Sequence, residues 1–185
     1  TVQDTRNAYD LKDLDPDLVV RQAETVMADV PVAVVKIGVL GSAAVASAVA
    51  DLLSRHPGIP VVLDPVLVAA GGGALAVDDV VQVLRERLMP RTTVLTPNAV
   101  EARRVVSAGD DLDDCGRAML DLGCQYALIT GGDEPGDEVE NRLYGEARVL
   151  QVERWPRLPG TYHGAGCTLA STVAGLIARG HAPYD

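Results

Sequence analysis

The sequence predicts an α/β protein, a doubly wound, mostly parallel sheet with helices on both faces. Three observations predict it. Short β-branched runs alternate with longer stretches of helical spacing along most of the chain. The apolar residues are small and branched, with Val, Ala and Leu throughout, no Phe and one Trp, which suits strands buried on both faces. The unusual polar and glycine residues recur at the carboxyl ends of the short runs, where ligands bind in such sheets.

Taken in order, Asp15 and Pro16 open a helix from Asp17 to Asp29, with Leu18, Val19, Ala23, Val26 and Met27 at helical spacing. Residues from Val32 to Ile37 form a buried strand ending at Gly38. Ser42 is the N-cap of a helix to about Arg55, broken by the stretch from His56 to Pro60. Val61 to Pro65 is a second strand with Asp64 at its carboxyl end. A glycine-rich loop from Ala69 to Gly73 leads into a helix from Val77 to Leu88. Thr93 to Thr96 is a third strand, stopped by Pro97, and Ala99 to Val106 is a short helix. Asp111 to Leu122 is another helix, closed by Gly123. Tyr126 to Thr130 is a fourth strand running into Gly131 and Gly132. Asp133 to Glu140 is acidic and turn-like. Leu143–Tyr144 and Arg148 to Leu150 flank Gly145–Glu146 as a hairpin. A second glycine-rich loop, His163 to Cys167, precedes an apolar helix from Thr168 to Ala178.

Composition narrows the function. Hydrophobic residues make up 48% and charged residues 23%, enough for a buried core with an ordinary soluble surface. A net charge of −10 argues against a nucleic-acid footprint, which needs clustered Lys and Arg. It leaves an anionic small ligand open, because helix-start amides attract anions without cationic side chains. Cys115, Cys124 and Cys167 are odd in number and form no C-x-x-C pair, so neither a disulfide framework nor a structural zinc is expected. That suits a reducing, cytoplasmic compartment. No apolar run is long enough to span a membrane, and no signal peptide opens the chain. The first residue, Thr1, is not Met and leads straight into structured-looking sequence, so a fragment is expected.

Three constellations carry chemistry. Gly164, Ala165, Gly166 and Cys167 precede an apolar helix. Glycines there let the backbone approach a ligand closely, and free first-turn amides with the helix dipole can hold a phosphoryl group during transfer. A thiol at a helix start commonly has a lowered pKa. The other reading is a tight loop around a small buried Cys. Asp64 and Glu101 are hard oxygen ligands suited to magnesium if their strands share one sheet. On spacing alone, two unrelated solvated carboxylates are favoured. Thr130, Gly131 and Gly132 end a strand, with close approach to a phosphate and a plain turn equally open. Lys36 reads as a surface lysine covering apolar neighbours, His163 as a structural loop residue, and Trp155 and Tyr126 as packing residues.

Together these pieces resemble a known family. Val35–Lys36–Ile37–Gly38–Val39–Leu40, then Val61–Val62–Leu63–Asp64–Pro65–Val66, Thr96–Pro97–Asn98 with Glu101, Thr130–Gly131–Gly132, and His163–Gly164–Ala165–Gly166–Cys167–Thr168 occur in the order and approximate spacing of the hydroxymethylpyrimidine/phosphomethylpyrimidine kinases of the ribokinase-like superfamily. The opening, Thr1 to Arg6, looks like that family's stretch after its second strand, so the resemblance covers almost the whole chain.

The resemblance implies one ribokinase-like domain over residues 1–185 that lacks the family's first strand and last helices. It implies ATP-dependent phosphorylation of 4-amino-5-hydroxymethyl-2-methylpyrimidine and then of its monophosphate in thiamine biosynthesis. ATP and Mg2+ would be the cofactors, a small pyrimidine the partner, and a homodimer the assembly, with no nucleic acid and no membrane. By position, Gly164, Ala165, Gly166 and Cys167 would form the anion hole, with Cys167 as base, relay or hole member. Asp64 and Glu101 would hold magnesium. Asn98, Thr130, Gly131 and Gly132 would line the ATP phosphates, and Val39 and Val66 would contact the ring. Many members carry Lys at Thr130, Met at Val39 and Thr at Ala165. Two alternatives stand beside this reading, a pyridoxal kinase of the same architecture and a non-catalytic ligand-binding relative.

Overall fold

A computed structural model describes residues 1–4, 6–67, 74–107, 109–160 and 162–185. The glycine-rich loop expected from Ala69 to Gly73 lies outside the described residues. The chain opens with a small antiparallel pair, β1 (Val2–Gln3) and β2 (Ala8–Asp10). Asp4 ties it by accepting from the Arg6 and Asn7 amides at 2.7 and 2.8 Å and from the Tyr9 hydroxyl at 2.7 Å.

Helix starts follow local chemistry. In α1 (Pro16–Asp29) the Asp15 carboxylate accepts from the Leu18 amide, and Pro16 supplies the fixed φ of a first turn. Ser42 caps α2 (Ala43–Ser54), and Asp111 caps α5 (Leu112–Asp121). The strand expected from Val32 shortens to β3 (Val35–Ile37), and β4 is Val61–Leu63. α3 (Ala74–Val83) starts earlier than its periodicity suggests. It continues through a π turn at Leu84–Leu88 and a 3-10 turn at Met89–Arg91, where Pro90 ends it. β5 (Val94–Leu95), α4 (Ala99–Val106) and β6 (Tyr126–Ile129) follow.

The acidic stretch read as a turn is in part strand. β7 (Glu138–Gly145) pairs with β8 (Arg148–Pro156) through the two-residue loop Glu146–Ala147, both residues at positive φ. Its glutamates survive in a strand because Arg142 and Arg154 neutralise Glu140. Trp155 is 58% exposed on β8 and is no packing residue. Tyr126 packs at the inner layer as expected. α6 (Ala165–Ala178) closes the described fold.

The sheet runs β3-β4-β5-β6-β7-β8, with its first four strands parallel and the last two antiparallel. Successive side chains face opposite layers. Ile37, Val61, Leu63, Leu95, Ala127 and Ile129 pack under α2 to α5. Val62 and Val94 pack against Ala170 and Ala174 of α6, with Tyr126 and Leu128 beside them. Helices therefore cover both faces, and α6 stands alone on its side among the described residues. No described helix is long and apolar enough to cross a membrane.

Candidate active site

Backbone ties continue the parallel ladder past the ends of the strands. The Asp64 amide donates to Ile37 O, the Thr96 amide to Leu63 O, and the Thr130 amide to Pro97 O, each at 2.9 Å. The Ala99 amide returns to Thr130 O at 3.1 Å, so Asn98 and Thr130 are bridged as strand neighbours. These ties line up the carboxyl ends of β3 to β6 as one shelf.

Asp64 lies on the α6 side of that shelf, with its side chain 5% exposed and Lys36 Nζ 3.0 Å from Oδ2. Lys36, read from sequence as a surface lysine, is thus a member of the site. Its signal was a cation ending one strand beside an acid ending the next. Glu101 enters from the first turn of α4, where it and Asn98 form a reciprocal capping box. Burial pushes its carboxyl up. The Asn98 amide offsets part of this, the nearby Asp64 charge adds to it, and the Leu67 amide opposes it.

Gly164 takes φ +81°, the left-handed conformation that favours glycine, and α6 begins at the very next residue. Ala165, Gly166 and Cys167 are therefore the first helical turn and not a loop. First-turn amides have no intrahelical partner, and among the described residues no side chain caps this end. Cys167 is exposed, yet its thiol is pushed up to about 11. Loss of hydration on its protein side is the largest cause, the nearby Asp64 carboxylate adds to it, and Lys36 opposes it. The lowering expected from the helix start is outweighed. α6 packs on the face of β4 that carries Val62, the side toward which Asp64 alternates.

Gly131 and Gly132 differ. A Cβ on Gly131 would stand 2.3 Å from Glu140 O, so packing against β7 already demands glycine there. A Cβ on Gly132 would meet nothing within 4 Å among the described residues. The following segment is held by two arginines that local sequence gave no sign of. Arg103 grips Glu134 through two bonds of 2.7 and 2.9 Å. Arg157 donates to the carbonyls of Gly132, Glu134, Gly136 and Glu138. Val39, 39% exposed, and half-buried Val66 sit just beyond the ends of β3 and β4. His163 is exposed, with Nε2 3.4 Å from Gln3 Oε1. Among the described residues no group of three His, Cys, Asp or Glu side chains is placed to hold a metal ion.

Comparison with known proteins gives this arrangement its kin. The profile of the family described as phosphomethylpyrimidine kinase matches residues 1–185. The chain belongs to the phosphomethylpyrimidine kinase family. The thiamine biosynthesis bifunctional protein of Geobacter sulfurreducens is 38% identical, over 97% of this chain and 38% of its own length. The hydroxymethylpyrimidine/phosphomethylpyrimidine kinase of Escherichia coli is 33% identical, over 96% of this chain and 68% of its own. In structure, the ADP complex of Bacillus subtilis pyridoxal kinase superposes with a TM-score of 0.82 at 30% identity, covering 92% of this chain and 66% of that one. The chain thus spans well under half of the bifunctional relative and about two thirds of the single kinases. Within the phosphomethylpyrimidine kinase family, the mixed sheet and the helices on its two faces are the ribokinase-like fold expected from the sequence.

Proposed function

We propose that this chain is the catalytic part of a cytoplasmic, ATP-dependent kinase that phosphorylates 4-amino-5-hydroxymethyl-2-methylpyrimidine and then its monophosphate. The observation that carries this reading is the start of α6, uncapped among the described residues, on the helix that packs against β4, the strand that leads into Asp64. Free amides on one side and acids on the other suit a phosphoryl group passing between them.

In this reading the Ala165, Gly166 and Cys167 amides receive the transferred phosphoryl, and Gly164 gives the backbone its turn. Asp64 and Glu101 would hold magnesium. They fit it, because both are hard carboxylate donors, Asp64 is buried and the Glu101 charge lies near it, and a cation would relieve their mutual repulsion. Magnesium there would neutralise the nucleotide phosphates. Asn98, Thr130 and Gly132 line those phosphates, with Gly131 serving the packing beneath. Val39 and Val66 flank the pyrimidine ring. Cys167 stays protonated near neutrality, so it donates a hydrogen bond and is not a thiolate base. Catalysis comes mainly from positioning and electrostatics. The family resemblance further supports a homodimer, which sedimentation equilibrium tests.

The deciding assay is ADP release with Mg-ATP and the pyrimidine, with pyridoxal in parallel. The expected result is turnover of the pyrimidine, and a large kcat loss in Cys167→Ala with little change in ATP affinity. The second reading, a pyridoxal kinase, is supported by the fold match to the Bacillus subtilis enzyme and gains if pyridoxal is the better acceptor. Calorimetric binding of the pyrimidine without product would make the protein a binder.

A further inference from the structure

The Lys36–Asp64 pair is built into the fold. The Asp64 side chain is 5% exposed and that of Lys36 is 23% exposed, and the ammonium meets the carboxylate at 3.0 Å. A charge so buried is costly to leave unpaired. The two residues project from neighbouring parallel strands toward the layer of α6. Glycine at position 38 leaves room for the ammonium: a Cβ there would stand 2.9 Å from Lys36 Nζ, a contact that a small shift of this flexible side chain would relieve. Glu101 faces the same carboxylate from α4.

We propose that Lys36 is the positioning residue of this acid pair: it is the resident counter-ion of Asp64 and competes with a divalent cation for that carboxylate. The inference rests on the assignment of Asp64 and Glu101 to the cation made above. A monovalent and a divalent cation beside one carboxylate repel each other. The cation therefore binds weakly to the empty cleft and enters with nucleotide phosphates, whose charge satisfies both cations.

The test is direct Mn2+ binding to the full, nucleotide-free chain, read as loss of the free-ion electron paramagnetic resonance signal. Lys36→Met is expected to tighten Mn2+ binding about tenfold by removing the competitor. Lys36→Arg should restore weak binding. Lys36→Gln keeps a polar side chain without the charge and should tighten binding by a similar factor. It decides the matter if Lys36→Met fails to fold, as judged by circular dichroism. Affinities within about twofold of wild type in both variants, or weaker binding in Lys36→Met, overturn the proposal, and undetectable binding in every protein counts as unchanged. Phosphotransfer is read separately. A wild-type protein without kinase activity overturns the function proposed above, while the Mn2+ titration still decides Lys36. Unchanged Mn2+ affinity in an active enzyme overturns the role of Lys36 alone.

Discussion

Asn98 and Glu101 cap each other: the Asn98 side chain accepts from the Glu101 amide at 2.8 Å, and the Glu101 carboxylate accepts from the Asn98 amide at 3.0 Å. One residue pair thus starts α4 and presents an acid to Asp64. Glu101→Gln separates the two roles, because a glutamine oxygen keeps the cap and loses the charge. Its stability at neutral pH should equal or exceed that of wild type, while turnover falls at least about tenfold. Glu101→Ala should lose about 1 kcal/mol of stability through the broken box. The raised Glu101 pKa sets a sign. The folded state holds this proton more tightly, so the cost of ionising it is absent at low pH and grows as pH rises through the usual glutamate range. The advantage of Glu101→Gln in urea midpoints should appear over that rise. An advantage largest at acid pH would contradict the burial argument.

Cys167 is exposed but should be a sluggish nucleophile. With its thiol pushed up to about 11, only on the order of 0.1% is thiolate at pH 8. Alkylation by iodoacetamide, followed by mass spectrometry, should be slow at neutral pH and climb through the alkaline range. Asp64→Asn removes the carboxylate charge and should speed the reaction about tenfold. Rapid labelling of the wild type at pH 7.5 would restore the thiolate-base reading. Cys167→Ser keeps a donor to Asp64 and should lose less kcat than Cys167→Ala.

Arg157 holds four carbonyls of the segment after β6 at 2.5 to 3.3 Å. Arg157→Ala should release that segment, raising the KM for ATP several-fold with a smaller change in kcat. The stability loss should be about 1–2 kcal/mol, since charge-assisted bonds are lost at a half-buried site. Limited proteolysis should show new cuts within residues 132–138. An unchanged KM with those cuts present would detach the segment from nucleotide binding.

Asp113 makes acid stability testable away from the site. The Tyr144 hydroxyl donates to it at 2.8 Å and Arg142 Nη1 at the same distance, and these bonds hold its carboxyl below the usual range. A lowered folded pKa contributes stability that is present above the unfolded value and lost as pH falls through the folded one. Denaturation midpoints of wild type should drop through the acid range by more than those of Asp113→Asn. Parallel profiles would mean that the trio contributes nothing to acid stability.

Much of the fold was legible because its cues are local. Asp15, Ser42 and Asp111 mark helix starts by side-chain chemistry that acts within three residues, and α4 matches its expected span. What escaped depends on distance in the chain. The partner of Lys36 lies 28 residues away, and the first carbonyl that Arg157 grips lies 25 away. β7 hid behind its acidic residues because the arginines that neutralise them sit later in β7 and in β8. Gly131 carried an ambiguous signal, since a phosphate and a neighbouring strand backbone ask for the same missing Cβ. Asp64 was legible as an acid at a strand end. Its burial and its facing of Cys167 needed the third dimension.

The alternation along β4 constrains how this chain can change. Leu63 points into the layer of α2 to α5, and Val62 and Asp64 point toward α6. A single inserted residue before Leu63 would exchange the two sides. It would bury the acid among aliphatic helices and leave the cleft without it, although the composition would barely differ. Descendants of this sequence can slide the acid along the strand only two positions at a time.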